Sequence, residues 1–169
     1  MKMKTVIVGL SIAIAVLGAA WYFLGQKPAA ICPFSGRTIH AQTRAWITIG
    51  GKKYETCCVR CAITEARQTG KPLRILEVAD FETGKLIHPE KAWFVEGSMV
   101  NLCMRMSPGM ESPDQQTVYL RGFDRCSPSI LAFSNERLAR AFIAKSGGTL
   151  TTLSKLEIQA QPESHGARQ

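Results

Sequence analysis

The fold and the chemistry of this chain both centre on one stretch, Tyr54-Glu55-Thr56-Cys57-Cys58-Val59-Arg60-Cys61. Three of the six cysteines lie in its last five residues, at the predicted start of a helix. The backbone dipole at a helix N-terminus lowers the pKa of a thiol and favours the thiolate, which is the form that binds metal. Cys57 and Cys61 are four residues apart, so they would share one face of the helix.

A predicted β-hairpin precedes this stretch. Residues 45–49 (Ala-Trp-Ile-Thr-Ile) alternate as a strand does, Gly50-Gly51 is a two-residue turn, and residues 52–56 run back. The hairpin returns the chain towards Cys32, in the upstream segment Cys32-Pro33-Phe34. The sequence therefore predicts a metal site formed by the thiols of Cys32, Cys57 and Cys61. Cys58 is an alternative or a fourth ligand. There are two competing interpretations. Some of these cysteines form disulfide bonds, or they are buried as inert thiols.

The second half of the chain has a similar pattern. Strand patterns at residues 117–120 and 129–133 precede Ser134, a predicted N-cap, a helix over residues 135–146, and a further strand over residues 149–153. We therefore predict an α+β fold of two strand-strand-helix-strand (ββα-type) units related by an internal repeat, at about residues 32–80 and 99–156. Residues 92–95 read as another strand between these units. Only the first of the two helix starts carries thiols, which indicates a purpose beyond capping.

The N-terminus predicts export and membrane attachment. Residues 5–24 carry no charge and are long enough to span a bilayer as a helix. Lys2 and Lys4 precede them, which places the short N-terminus in the cytoplasm and the rest on the periplasmic or extracytoplasmic side. We assign residues 1–27 to a membrane anchor, with a cleaved signal sequence as the alternative. Residues 28–156 form the predicted domain, and polar residues 157–169 form a disordered tail.

The net charge of +8 does not by itself indicate nucleic-acid binding. The lysines and arginines are scattered without a basic block, and an exported chain seldom meets nucleic acid. We interpret the charge as that of a solvated surface beside an anionic membrane. No nucleic-acid partner is therefore expected.

The two remaining cysteines and a run of methionines allow more than one interpretation. Cys103 and Cys126 are candidates for a structural disulfide, as is common in exported proteins, and we expect them to contribute less to metal binding than the first trio. Four of the six methionines lie within residues 99–110. Met104 and Met106 would share one face of a strand, where thioethers and nearby thiols suit Cu(I). Packing of these methionines in a hydrophobic strand is the alternative. The candidates for additional metal ligands are thus Met104, Met106, Cys103 and Cys126.

Four further motifs occur along the chain: Lys53-Tyr54-Glu55-Thr56-Cys57, Val78-Ala79-Asp80-Phe81-Glu82-Thr83-Gly84-Lys85, Ala92-Trp93-Phe94-Val95 and Ile130-Leu131-Ala132-Phe133-Ser134. Together they resemble the NosL family, membrane-attached periplasmic copper proteins that assist the maturation of nitrous-oxide reductase. The resemblance covers roughly residues 32–156, and the Cys-Cys-x-x-Cys portion is also similar to the TRASH and YHS heavy-metal modules. The family commonly begins Cys-x-x-Cys-Gly-Met, whereas this chain lacks the second cysteine and the methionine after Cys32.

The resemblance implies copper handling rather than catalysis, on a paired ββα architecture like that of organomercurial lyase. The first hypothesis is a Cu(I) chaperone that serves an exported copper enzyme, such as nitrous-oxide reductase, or its assembly machinery. Transfer needs ligands that exchange one at a time, so a partly exposed thiolate trio would suit it. The second hypothesis is a structural zinc or disulfide module that delivers no metal. A lyase-like enzyme is disfavoured, because the sequence offers no convincing general acid beside the thiols.

Overall fold

The computed structural model describes residues 29–104 and 124–161. Within them the chain forms a mixed α+β fold of two small antiparallel sheets and three α-helices. None of the helices in this described part is long and apolar enough to cross a membrane. The predicted membrane helix over residues 5–24 and the predicted strand over residues 117–120 lie outside the described residues.

The first sheet is built around the predicted hairpin. Strand β1 (Ala45–Ile49) pairs with β2 (Lys52–Thr56) through the Gly50-Gly51 turn, in which both glycines have positive φ values of 56° and 81°. Such values are those of a hairpin turn that matches strand twist, and glycine adopts them without strain. Strands β3 (Leu73–Ala79) and β4 (Leu86–Ile87) complete the order β2-β1-β3-β4. The sequence prediction of this hairpin is confirmed.

Helix α1 (Val59–Thr69) connects β2 to β3 and packs on the first sheet. It begins directly after Cys58, as predicted, and it ends at Gly70, whose φ of 66° is the left-handed conformation common after a helix. The buried face of α1 includes Ala62, Ile63 and Ala66, which belong to the main hydrophobic core. The helix is therefore held by apolar burial along one face, while its first turn carries the cysteines.

The second sheet is centred on a strand that the sequence pattern places between the two units. Strand β5 (Trp93–Glu96) pairs with β6 (Ile130–Phe133) on one side and with β7 (Thr149–Thr151) on the other. Helix α2 (Glu136–Ser146) connects β6 to β7. The central strand of the second sheet is therefore β5, since it pairs with both other strands. It lies before residue 99, so the second unit begins earlier than the sequence predicts.

Both sheets therefore share one pattern of connections. The first strand of each is central, its second and third strands flank it, and a helix joins the second strand to the third. This pattern is that of the predicted strand-strand-helix-strand unit. In the second unit the first and second strands are separated by residues 97–129, whereas in the first unit they are joined by Gly50-Gly51.

Two predicted boundaries near the C-terminus differ from the structure. Helix α2 is capped by Asn135, whose side-chain oxygen accepts a hydrogen bond from the backbone N–H of Arg137 at 2.8 Å, and not by Ser134. Strand β7 ends at Thr151 because Thr152 caps a further helix, α3 (Leu153–Gln159). Ordered helix thus extends past residue 156, where we predicted that the domain ends.

The two units are joined through apolar and polar contacts next to β3. The rings of Phe81, Phe133 and Phe142 have centroids 5.2 to 5.7 Å apart and form an aromatic cluster. The hydroxyl of Ser134 donates to the carboxylate of Asp80 at 3.1 Å, and the backbone N–H of Phe81 donates to the carbonyl of Ala132 at 2.8 Å. These contacts fix the end of β3 against β6.

Candidate metal centre

Four cysteines come from the first unit. Cys32 lies in a tight turn, in which its N–H donates to the carbonyl of Arg37 at 2.8 Å and its carbonyl accepts from Gly36 at 2.9 Å. Cys57 and Cys58 occupy the short connection between β2 and α1, and Cys61 lies in the first turn of α1. The hairpin therefore brings the chain back so that Cys32 and Cys61 meet, with their sulfurs 3.8 Å apart.

The other two cysteines come from the chain between β5 and β6. Cys103 lies in the 3-10 helix Leu102–Met104, and Cys126 lies in a turn shortly before β6. The side-chain amide of Asn101 ties these segments together by donating to the carbonyl of Cys126 at 2.9 Å. All six thiols form one buried cluster in which no residue is more than 4% exposed: Cys32, Cys57, Cys58, Cys61, Cys103 and Cys126.

Cys57 occupies the middle of the cluster. Its sulfur lies 3.6 Å from that of Cys126 and 4.0 Å from that of Cys58. The sulfurs fall into two groups, within each of which all atoms lie within 4.8 Å of one another. The four-sulfur group consists of Cys57, Cys58, Cys103 and Cys126, and the three-sulfur group consists of Cys32, Cys57 and Cys61.

These separations suit metal coordination. In a tetrahedral site with metal–sulfur bonds of about 2.3 Å, neighbouring sulfurs are about 3.8 Å apart. The Cys57 sulfur lies 3.6 Å from that of Cys126 and 4.0 Å from that of Cys58, and the sulfurs of Cys32 and Cys61 are 3.8 Å apart, all close to this value. A disulfide needs a sulfur–sulfur bond of about 2.05 Å, and all six cysteines are free thiols in the structure. The donor set is soft, and soft thiolates favour ions such as Cu(I) and zinc.

The cluster contains two sulfurs that favour the thiolate. Hydrogen bonding within the cluster, chiefly with Cys103, lowers the pKa of Cys57 far below its usual range. The hydrogen bond from Cys103 is also the main cause that lowers the pKa of Cys126 from 9.0 to about 4. The pKa values of the remaining coupled thiols are raised, with a cysteine hydrogen bond as the largest cause in each case: Cys58, Cys61 and Cys103. Hydrogen bonding within the cluster therefore favours negative charge on Cys57 and Cys126.

An ion pair between Arg37 and Asp124, which the sequence analysis did not predict, stabilises the negative charge on Cys126. Arg37 donates two hydrogen bonds to Asp124, at 2.9 and 2.6 Å, and Asp124 accepts another from the backbone N–H of Cys126 at 2.7 Å. Burial raises the pKa of Asp124, but the bonds from Arg37 and Cys126 outweigh it and leave that pKa lowered. The hydrogen bond to Asp124 raises the pKa of Arg37, which therefore stays cationic close to the Cys126 sulfur. No local pattern links Arg37 to Asp124, since 87 residues separate them.

Hydroxyl groups and backbone atoms complete the surroundings. The hydroxyl of Ser35 lies 3.4 Å from the Cys57 sulfur, and that of Thr43 lies 3.8 Å from the Cys103 sulfur. The Cys58 sulfur accepts a hydrogen bond from the backbone N–H of Cys61 at 3.4 Å, so this thiol caps α1. Cys58 therefore has a structural role beside its place in the cluster.

The structure thus brings together all four cysteines that we predicted as metal ligands. It also places Cys103 and Cys126 among them, both as free thiols, while their pairing under oxidation stays a prediction. The expected partial exposure of the thiolate trio is wrong, because the three side chains are completely buried. Met106 and the side chain of Met104 lie outside the described residues.

The fold is similar to that of a copper chaperone. The crystal structure of the copper chaperone NosL from Shewanella denitrificans matches with a TM-score of 0.50 and 18% sequence identity, covering 77% of this chain and 94% of that one. No family model and no curated protein matches the chain. The likeness supports the NosL-like fold that the motifs implied, while the similarity to TRASH and YHS modules stays a prediction.

Proposed function

We propose that this chain is an exported, membrane-anchored protein that binds Cu(I) and passes it to a copper enzyme, such as nitrous-oxide reductase, or to the machinery that assembles it. The observation that carries the proposal is the buried six-cysteine cluster, in which neighbouring sulfurs approach to 3.6 to 4.0 Å. Six thiols converge there from four separate segments of the chain. Ordinary core packing does not require such a concentration of sulfur.

The chemistry of the cluster supports Cu(I) over harder ions. Thiolates are soft, polarisable ligands that select Cu(I), whereas carboxylates and carbonyls suit magnesium and calcium. The carboxylate beside the cluster, Asp124, is engaged by Arg37 and by the N–H of Cys126. It is therefore occupied as a structural acceptor and is poorly suited to act as a general acid. A binding protein fits this arrangement better than an enzyme, and the NosL-like fold is consistent with that function.

Delivery of the ion would require the cluster to open. Each of the six cysteines is at least 96% buried, so an acceptor protein could not reach the ion directly. The exported location and the anchor are supported by the uncharged residues 5–24 that follow Lys2 and Lys4. The proposed acceptor is accordingly an exported copper protein or its assembly partner at the same membrane face.

The test is a metal-exchange measurement on the full-length chain, purified reduced in detergent without air. We expect the protein to take Cu(I) from a coloured chelator of moderate affinity and to release it to a stronger chelator. Release should be slower than from a small thiol such as glutathione, because the sulfurs are buried. Failure to compete for Cu(I) at any chelator concentration would contradict the proposal.

A structural zinc site is the second candidate, and the four-sulfur group favours it. Zinc in structural sites is bound by four cysteine or histidine ligands in a tetrahedron, and Cys57, Cys58, Cys103 and Cys126 supply four sulfurs. In that case the metal would hold the cluster closed and would not be delivered. The same preparation distinguishes the two functions. One tightly held zinc ion that Cu(I) does not displace would establish the structural role.

A further inference from the structure

We infer that the cluster holds two Cu(I) ions side by side, bridged by the sulfur of Cys57. The inference rests on the proposed Cu(I) binding and adds the number of ions and the way in which they share ligands. Its basis is that the four-sulfur group and the three-sulfur group have one member in common, Cys57. Each group has enough sulfurs for a separate ion.

The Cys57 sulfur belongs to both groups, and each group also has ligands of its own. On one side the sulfurs of Cys32 and Cys61 are 3.8 Å apart, and with Cys57 they form a set of three. On the other side Cys58 and Cys126 have sulfurs 4.0 and 3.6 Å from that of Cys57, and Cys103 completes the set of four. A single ion with bonds of about 2.3 Å could not reach both sets at once, because it would need six sulfurs around one centre.

A thiolate is able to bridge in this way because its sulfur carries three lone pairs. Two ions bonded to one sulfur at about 2.3 Å each lie no more than about 4.6 Å apart. The backbone also favours a central position for Cys57, since its carbonyl accepts a hydrogen bond from the Cys103 thiol at 3.2 Å. Cys57 is thus tied to the segment that brings in the second group of ligands.

The experiment combines native mass spectrometry with X-ray absorption on the full-length reduced chain, loaded with Cu(I) without air. We expect two copper ions per chain and a copper–copper scattering contribution at a separation below about 4.6 Å. Cys57→Ser should abolish that contribution. A parent protein that takes up one ion, or two ions with no copper–copper contribution, would overturn the inference.

Two double variants test which sulfurs belong to only one of the two ions. Cys32→Ser/Cys61→Ser should retain one ion in the four-sulfur group, and Cys58→Ser/Cys126→Ser should retain one ion on the other side. Circular dichroism shows whether each variant is folded, and the parent measurements stand even where a variant is not. Uptake of one Cu(I) by the parent would leave the proposed function intact and refute only the bridge. Uptake of none would refute both.

Discussion

At the scale of single residues, each cysteine of the cluster is expected to contribute to Cu(I) binding. From the sequence we expected Cys126 to matter less than Cys57 or Cys61. The structure places its sulfur 3.6 Å from that of Cys57. We therefore expect Cys61→Ser and Cys126→Ser each to lower the Cu(I) affinity by at least about tenfold, measured by anaerobic chelator competition. A loss on this scale is about 1.4 kcal/mol of binding free energy.

Ser35→Ala is the matched control for these two variants. The Ser35 hydroxyl lies 3.4 Å from the Cys57 sulfur, so the change alters the surroundings of the cluster and removes no sulfur. Its Cu(I) affinity should stay within about threefold of that of the parent. Parent-like affinity in both cysteine variants would place the binding site elsewhere, with residues 99–110 as the next candidate.

The protonation of Cys126 gives a pH-dependent signal. Its pKa is lowered from 9.0 to about 4, chiefly by the hydrogen bond from Cys103, so it is a thiolate in the folded metal-free protein near neutral pH. Because the pKa is lower in the folded chain than in the unfolded one, ionisation of Cys126 favours folding fully above pH 9.0, and this contribution disappears as the pH falls to about 4.

Thiolate absorbance near 240 nm measures this directly in the reduced metal-free chain. We expect absorbance to persist at about pH 6 and to fall on acidification towards about pH 4, whereas an ordinary thiol is protonated at both values. Cys126→Ser should show a smaller signal at about pH 6. An identical signal in the variant would show that Cys126 is protonated there.

At the scale of secondary-structure elements, Cys58 should act as a helix cap as well as a ligand. Its sulfur accepts the hydrogen bond from the N–H of Cys61 at the start of α1. Serine is among the preferred N-cap residues, whereas alanine cannot accept this bond. Cys58→Ala should therefore be less stable than Cys58→Ser by about 1 kcal/mol in urea unfolding of the metal-free protein. Both variants lose the sulfur equally, so equal stabilities would argue against a capping role.

The elements that could be predicted from sequence are those fixed by local signals. The Gly50-Gly51 turn, the alternation of β1 and the cysteines at the start of α1 lie close together in the chain, and all were placed correctly. The central position of β5 was not predicted, because its pairing with β6 and β7 joins residues that are far apart in sequence. Strand β7 was predicted two residues too long, because Thr152 was not recognised as the cap of α3.

The residues of the candidate site also divide into those that local sequence signals predict and those that only the tertiary fold brings in. The first four cysteines could be assigned from spacing and from the hairpin. The inclusion of Cys103 depends on contacts such as the hydrogen bond from its thiol to the carbonyl of Cys57, 46 residues away. The pairing of Arg37 with Asp124 spans 87 residues and left no periodic pattern to detect. Contacts of this kind depend on the tertiary fold and not on local propensity.

At the scale of the whole molecule, the first prediction concerns orientation in the membrane. The uncharged residues 5–24 follow Lys2 and Lys4, so the domain should lie outside the cytoplasm. Alkaline phosphatase, which is active only after export, fused after Gln169 should be active, and a reporter that needs the cytoplasm should be inactive in the same position. The opposite pattern would overturn the orientation and also remove the argument for an exported copper acceptor.

The second prediction at this scale concerns the ion pair that connects α1 to the second sheet. The Arg60 guanidinium contacts the Glu96 carboxylate of β5 and donates to the carbonyl of Pro128 at 3.1 Å, while Gln159 of α3 donates to Glu96 at 3.2 Å. The side chains of Arg60 and Glu96 are only 9% and 21% exposed. Arg60→Met would leave Glu96 without its cation, which should lower the free energy of unfolding by about 2–3 kcal/mol.

An exposed pair within α2 provides the control for this ion pair. Arg140 and Glu136 form a surface salt bridge at 2.7 Å with spacing i,i+4, and Arg140→Met should cost less than about 0.5 kcal/mol in the same urea titration. Adding Glu96→Gln to Arg60→Met should restore part of the lost stability, because it removes the uncompensated charge. If Arg60→Met is no more destabilising than Arg140→Met, the two units are held together by the aromatic cluster of Phe81, Phe133 and Phe142 rather than by this charge pair.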